Sequence, residues 1–246
     1  MTQETNIYDP SYVKDLFDRC SGWYRIWSQV ASFGFVAIWR RQCVNALPQL
    51  PSEKAVGFDL MAGTGEAWPY LLKRNPDVTS IVAVDISSEM NRRALERLHR
   101  TREAKIRLIE ADILNAELPA QSADFVISTF GMKTFNQTQQ SAFAQEVARI
   151  LKPGGVFSII EASDPQDWLF RPIYRLYLER ILPWIEKLFL RGAQDFSMIA
   201  TYTKNFGDCR HLARQLDAAG LEVEFKSFFF GCATGVVGRR KVGTPT

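Results

Sequence analysis

The stretch AVGFDLMAGTGE at residues 55–66 decides how the rest of the chain is read. Residues 55–60 are a short apolar run with one acid, Asp59. Met61, Ala62, Gly63, Thr64 and Gly65 make a turn rich in small residues, and residues 66–74 have helical character. A buried strand, a glycine turn and a helix start in that order build a ligand site in an open α/β sheet. Gly63 and Gly65 have no Cβ, so their backbone can lie against a ligand or take positive φ. The run is AGTGE rather than GxGxxG, with Trp68 where a third glycine would fall. An acid at Glu66, beside the free N–H groups of a helix start, disfavours a pyrophosphate and suits a cationic ligand. The plain alternative is a tight strand-to-helix turn with no ligand.

The bulk numbers narrow the class. A chain of 246 residues suits one large α/β domain or one domain with an inserted cap. Hydrophobic residues are 46% and charged residues 23%, a globular balance that argues against disorder. A formal charge of +3, with no basic block interleaved by aromatics, argues against nucleic acid as a partner. Cys20, Cys43, Cys209 and Cys232 form no CxxC pair, so neither a zinc site nor a redox motif is expected, and no motif calls for a metal. The polar start MTQETNIYDP lacks an apolar signal region, and no stretch approaches a membrane span. The expectation is a cytoplasmic protein.

Outward from the glycine turn, the pattern alternates. Residues 80–84, 105–110, 124–129 and 156–161 read as further strands, and 88–102 and 138–151 as helices. Ser87 is a plausible N-cap, and Lys152, Pro153, Gly154 and Gly155 are expected to stop the second of these helices. Residues 221–230 and 232–238 read as a final antiparallel hairpin at the sheet edge, after a helix at 208–219 ended by Gly220. The expected fold is α/β: a doubly wound, mostly parallel sheet of seven strands. Asp59, Asp85 and Asp112 then lie where parallel strands end, which is where such sheets bind ligands. Asp85, about 20 residues past the glycines, suits ribose hydroxyls, and Asp112 an adenine amino group. Any one of them alone reads equally well as a helix cap; together they point to a nucleoside.

Two helical segments flank this core. Residues 1–50 read as an N-terminal helical cap, rich in aromatics, with Trp23 and Trp27, and Phe35 and Trp39, four apart so that each pair can share a helix face. Residues 51–246 form the core, entered through the proline-rich linker at 48–53. A second cap is expected at about 164–206. Its stretch 164–196 is amphipathic, broken near Pro172 and Pro183, and carries Arg171, Arg175, Arg180, Lys187 and Arg191. Such helices either simply cover a site or admit a greasy substrate and touch anionic lipid. The partner expected is a small hydrophobic or aromatic substrate.

These residues resemble a family. The chain is similar, over nearly its whole length, to the class I S-adenosylmethionine (SAM)-dependent methyltransferases, and within them to the UbiE-like methyltransferases of ubiquinone and menaquinone biosynthesis. FDLMAGTGE looks like the SAM-binding glycine motif, VAVDISSEM like the ribose-acid motif, and IEADILNAELP like the adenine-side motif. STFGMKTF, RILKPGG, SFGFVAIWRR and IIEASDPQ are also family-like. The resemblance implies a Rossmann-like methyltransferase fold with SAM as cofactor. It implies that Asp59, Met61, Ala62, Gly63, Thr64 and Gly65 pack on SAM, that Asp85 with Ile86 holds the ribose, that Met90, Asp112 and Ile113 flank the adenine, and that Thr129 lies beside the methyl donor. A homodimer and a peripheral membrane contact stay open under it. The chain departs from the family where Arg-Asn is usual and Lys133-Thr134 stands instead, and where a histidine before the final basic residues is missing.

Carbon methylation of a quinol ring needs a base or a cation near a ring oxygen. Lys133 is the first candidate, followed by Glu161 after the fifth strand and Tyr202 in the cap, with Asp164 also in reach. His99 and His211 read as surface residues. Three readings stay open: C-methylation of a prenylated quinol, methylation of a specialised phenolic or apolar metabolite, favoured by Lys133-Thr134 and by Phe228, Phe229 and Phe230, and SAM binding without catalysis.

Overall fold

The computed structural model describes residues 6–51, 54–101, 103, 105–189 and 197–242. Seven strands form one sheet in the order β3-β2-β1-β4-β5-β7-β6. They are β1 Val56–Leu60, β2 Ser80–Asp85, β3 Ile106–Glu110, β4 Ala123–Thr129, β5 Leu151–Ala162, β6 Leu221–Phe228 and β7 Ala233–Arg240. β1 to β5 run parallel, and β7 pairs antiparallel with both β5 and β6. The doubly wound mostly parallel sheet and its edge hairpin are as expected. The order reverses between β1 and β4, and the crevice beyond their carboxyl ends is where such a sheet binds ligands.

Both faces of the sheet are covered because the central strands are apolar on both sides. On one face Phe58, Leu60, Val82, Val84 and Val126 pack against α5 (Gln137–Ile150) and α9 (Arg210–Ala218). On the other, Ile81, Ala83, Phe125 and Ile127 pack against α2 (Phe35–Ala46), α3 (Trp68–Arg74) and α4 (Ser88–Thr101). The alternation follows from successive side chains pointing to opposite faces.

Several boundaries move for physical reasons. α3 begins at Trp68 rather than at Glu66, because Gly65 sits at φ 75° and the Glu66 carboxylate is drawn to Thr64, Arg97 and Arg40. The lysine, proline and glycine pair after α5 do not form a loop. The helix ends at Ile150 and β5 starts at once, with a bulge: Leu151 pairs with Ala123 and Val156 with Phe125. Gly154, at φ 78°, turns the extra residues out. Trp23 and Trp27 do not share an environment: Trp27 is buried, whereas Trp23 is 51% exposed. Phe35 and Trp39 do pair, with ring centroids 5.7 Å apart.

The cap after β5 contains α6 (Arg171–Leu176), a π turn (Tyr177–Ile181), α7 (Leu182–Phe189) and α8 (Ser197–Phe206). Pro172 and Pro183 each fall in a first helical turn, where a missing N–H is tolerated, and the π turn absorbs the irregularity ahead of Pro183. Residues 190–196, with Arg191, lie outside the described residues. The N-terminal α1 (Pro10–Ala31) crosses to α4, where the Asp18 carboxylate accepts from Ser87 Oγ at 2.6 Å and Glu89 N at 3.0 Å. An acid at a helix N-terminus is favourable there, so α1 is pinned over the carboxyl ends of the strands. Ser87 caps α4 as expected, its Oγ accepting from Met90 N at 3.1 Å.

Gly57 tests the tightness of the sheet. A Cβ there would lie 1.9 Å from Cζ of the fully buried Phe125. Gly57→Ala is expected to lower the unfolding free energy by roughly 2 kcal/mol or more, the cost of overpacking a dense core. The readout is a lower urea midpoint at unchanged slope.

Candidate active site

Two cavities meet beyond the carboxyl ends of the strands. The first spans about 790 Å³, open solvent at its mouth included, and lies at the switch point. Its floor comes from the residues after each strand: Met61, Ala62 and Gly63 after β1, Asp85 and Ile86 after β2, Asp112 and Ile113 after β3, and Thr129 at the end of β4. Met90 closes it from α4, and α1 with the residues before it roofs it through Tyr8, Val13 and Phe17.

The acids are held differently. Asp85 accepts from Gly63 N at 2.7 Å and Ser87 N at 2.9 Å, so one carboxylate ties the β1 turn to the end of β2. Burial pushes its carboxyl up to about 6 against the pull of those two amides. Asp112 caps the short 3₁₀ turn Ile113–Asn115, accepting from Leu114 N at 3.1 Å and Asn115 Nδ2 at 2.9 Å, and still borders the cavity. Asp59 does not reach the cavity wall: it is buried behind the turn, where Oδ2 accepts from Trp68 Nε1 at 2.8 Å. Its other oxygen is buried without a hydrogen-bond partner, and burial raises the carboxyl to about 7.

Gly65 and Thr64 likewise stand outside the wall. A Cβ on Gly65 would lie 2.3 Å from the Trp68 ring, and the Thr64 hydroxyl is bonded to Glu66. Gly63 is the glycine that serves the cavity: at φ 56°, with open space before its missing side chain, it lets a ligand meet the backbone. Met61 at φ 58° and Phe130 at φ 67° are left-handed without being glycine, and a Cβ on Gly131 would fall 2.6 Å from that of Met61. Strained backbone of this kind clusters at functional sites.

The second cavity encloses about 1830 Å³, open solvent at its mouth included, and is lined mainly by aromatic and aliphatic side chains of α1, α2 and the cap. Phe17, Tyr24 and Phe130 line both cavities and form the wall between them. Lys133 borders the second cavity, fixed by Glu161, which is fully buried. Lys133 Nζ donates to Glu161 Oε1 at 2.8 Å and to the Phe130 carbonyl at 2.7 Å; Glu161 Oε2 accepts from Lys133 N at 3.0 Å. Thr134, the next residue, faces the first cavity instead. Tyr202 lines the second cavity, but its hydroxyl donates to the Ile7 carbonyl and so holds the chain before α1 to the cap. Asp164 lies outside both walls, bound by Arg171 and Arg175. His99 is exposed on α4 and His211 half-buried on α9. The wall residue Tyr24 and the cavity residue Arg40 were not legible as site residues, since nothing in helical aromatic spacing separates them from core; the one signal was the WRR of the N-terminal segment.

The first cavity fits an adenosine-bearing cofactor. Ile86, Met90 and Ile113 supply an apolar slot, Asp85 and Asp112 acceptors at its edge, and Gly63 a bare backbone. With a seven-stranded sheet whose β7 runs antiparallel, fold and site define a SAM-dependent methyltransferase, with SAM as its cofactor. Residues 4–240 match the ubiE/COQ5 methyltransferase family, and the chain belongs to that family. It is 27% identical over 229 residues to a demethylmenaquinone methyltransferase of Bacillus cereus, covering 93% of this chain and 95% of that one. It is 28% identical over 225 residues to a demethylmenaquinone methyltransferase of Staphylococcus saprophyticus, covering 90% and 93%. Among solved structures, a SAM-dependent methyltransferase of Thermotoga maritima superposes with a TM-score of 0.58 at 18% identity, over 93% of this chain and 99% of that one, a likeness of fold.

The two raised acids set a pH dependence. In the unfolded chain an aspartate titrates near 3.8; in the folded protein Asp85 titrates at about 6 and Asp59 at about 7. The folded state therefore holds more protons between these values, and stability falls as pH rises through the window. Asp59→Asn is expected to flatten the fall in stability between about pH 4 and 7, read by urea unfolding of the cofactor-free protein at stepped pH.

Proposed function

We propose that this methyltransferase methylates a ring carbon of a prenylated hydroquinone of the demethylmenaquinol type. One observation carries the reading: an apolar cavity large enough for a ring and part of a prenyl chain shares a wall with the cofactor cavity, beside a buried lysine held by a buried glutamate. The names of the relatives in Bacillus and Staphylococcus agree with it.

When bound, SAM supplies an electrophilic methyl group on a sulfonium. The protein aligns the acceptor carbon against it and keeps water out, and orientation accounts for much of such catalysis. A hydroquinone becomes nucleophilic at carbon as its hydroxyl loses a proton, and the ring regains aromaticity when the methylated carbon loses its hydrogen as a proton. Lys133 has three N–H donors and spends two on Phe130 and Glu161, so the third is free to stabilise the ring oxyanion. Glu161, with no access to solvent, acts as a positioning residue for Lys133. Tyr202 packs the acceptor cavity. Asp85, Asp112, Gly63 and Thr129 serve the cofactor.

A smaller phenolic acceptor is the second reading. It is favoured by Phe229, a left-handed residue that lines the cavity, and by Phe230, which stacks on the lining residue Trp168 at 5.5 Å. The mouth also supports a lipid contact. Phe33, Phe170, Ile173 and Leu176 line the cavity and are each more than half exposed, with Arg180 and Lys187 exposed nearby in sequence. An apolar rim with basic neighbours suits an anionic bilayer surface, from which a prenylated substrate would enter. No helix among the described residues is long and apolar enough to cross a membrane.

Lys133→Met is expected to lower labelled-methyl transfer to a short-chain demethylmenaquinol by about 100-fold, with SAM affinity unchanged, while Lys133→Arg keeps measurable turnover. Labelling of a small phenol in preference to the quinol would establish the second reading. For the lipid contact, Arg180→Glu with Lys187→Glu, both outside the cavity lining, is expected to abolish co-sedimentation with anionic vesicles yet spare turnover on a water-soluble quinol.

A further inference from the structure

The second cavity is mostly apolar, so the few polar atoms on its wall decide what it can recognise. Most of its hydroxyls are already used. Ser28 donates to the Arg25 carbonyl at 3.1 Å and Ser32 to the Ser28 carbonyl at 2.7 Å. Tyr177 donates to the Ala31 carbonyl at 3.1 Å, and Tyr202 to the Ile7 carbonyl. Each of these groups holds a segment of the fold and has no second proton to give.

Among the described residues, three hydroxyl side chains on the wall make no hydrogen bond: Tyr24, Thr203 and Tyr174. Tyr24 stands in the wall shared with the cofactor cavity. Thr203 lies on α8, which packs on the turn Met132–Thr134, so it serves the side that Lys133 already serves. Tyr174 comes from α6 in the cap. Its ring lies 6.5 Å from that of Trp168, and it packs against the cluster of Phe130, Ile160 and Cys232. It therefore covers the end of β5, whose Glu161 fixes Lys133, from a different element than the lysine. Burial above all pushes its hydroxyl above the ordinary tyrosine range, so it stays a neutral O–H that can donate or accept. A phenol hydroxyl kept among apolar side chains is costly unless a polar partner arrives with a ligand.

We propose that Tyr174 binds the second ring oxygen of the acceptor, across the ring from the oxygen that Lys133 holds, and so selects a hydroquinone over a phenol with one oxygen. This rests on the second cavity being the acceptor site and decides between the two acceptor classes it could take. A hydroquinone carries its oxygens at opposite ends of the ring, so a site built for it needs polar groups from two elements. Lys133, after β4, supplies one; Tyr174, on α6, supplies the other. A phenol with one oxygen leaves Tyr174 unpaired, and a site that hydrogen-bonds a substrate hydroxyl rejects the analogue lacking it.

The test compares two acceptors under anaerobic, reducing conditions. One is a short-chain demethylmenaquinol. The other is the matched prenylated 1-naphthol, which keeps the hydroxyl beside the methylated carbon and lacks the one beside the chain. Labelled-methyl transfer from SAM by the purified full chain gives kcat/KM for each. Tyr174→Phe is expected to lower the ratio of quinol to naphthol kcat/KM about 10-fold, the loss of one neutral hydrogen bond. Intrinsic ring reactivity cancels, because both proteins meet the same two acceptors. Should the naphthol bind without turning over, its inhibition constant against the KM of the quinol gives the same ratio. The urea midpoint of the variant is expected to match or exceed that of the wild type, since the hydroxyl makes no bond within the described fold. A variant that keeps the wild-type ratio overturns the inference. So does one whose midpoint falls, for the hydroxyl then serves the fold. A wild type that binds SAM yet methylates neither acceptor overturns the acceptor reading itself and the inference with it.

Discussion

One carboxylate holds the cofactor end of this protein together. Asp85 accepts the amide of Gly63 and the amide of Ser87, and so locks the turn after β1 to the end of β2. The Ala62 amide adds a backbone bond to the Val84 carbonyl at 3.0 Å, and the turn so held is left-handed at Met61. Burying the acid disfavours its charged form and pushes its carboxyl up to about 6. The two charge-assisted amide bonds offset part of that cost. Were the turn free to relax, Gly63 would no longer present an open backbone and the neighbouring wall at Gly131 would lose its stop against Met61.

The roof over this floor comes from the other end of the chain. α1 is fastened to α4 by Asp18, to α5 through the Tyr8 carbonyl and Gln139, and to the cap by Tyr177 on the Ala31 carbonyl and Tyr202 on the Ile7 carbonyl. These bonds fix three sides of a lid whose apolar face separates two cavities. Phe17, Tyr24 and Phe130 are therefore walls shared by both cavities. The Lys133–Glu161 pair lies under the acceptor side of that wall. A buried pair of this kind contributes little net stability, and its value lies in holding one ammonium in a fixed place.

Much of the core was legible because its signals are short-range. The apolar runs of β1, β2 and β4, the glycine turn, and the acids at strand ends each lie within a dozen residues, where pattern and propensity act. The bulge of β5 was not legible: KPGG reads as a breaker, and only pairing of Leu151 with Ala123 turns it into strand. The start of α3 was misplaced because Glu66 looks like a first-turn acid, whereas Thr64, Arg97 and Arg40 hold it in the turn.

From its sequence alone, this chain reads as an α/β methyltransferase with a glycine turn and acids after its first three strands. Local patterns and motif residues suffice for that, since each strand places its own acid or glycine. Only the tertiary structure decides which of those residues border the cavity. Asp59, Thr64 and Gly65 turn out to support Trp68 and the turn, while Gly63, Asp85 and Asp112 border the cavity. Likewise Lys133 meets Glu161 across 28 positions, and Arg40 meets Glu66, through contacts between elements remote in the chain. Side-chain direction and long-range pairing are set by how helices pack on the sheet, and no local run of residues encodes them.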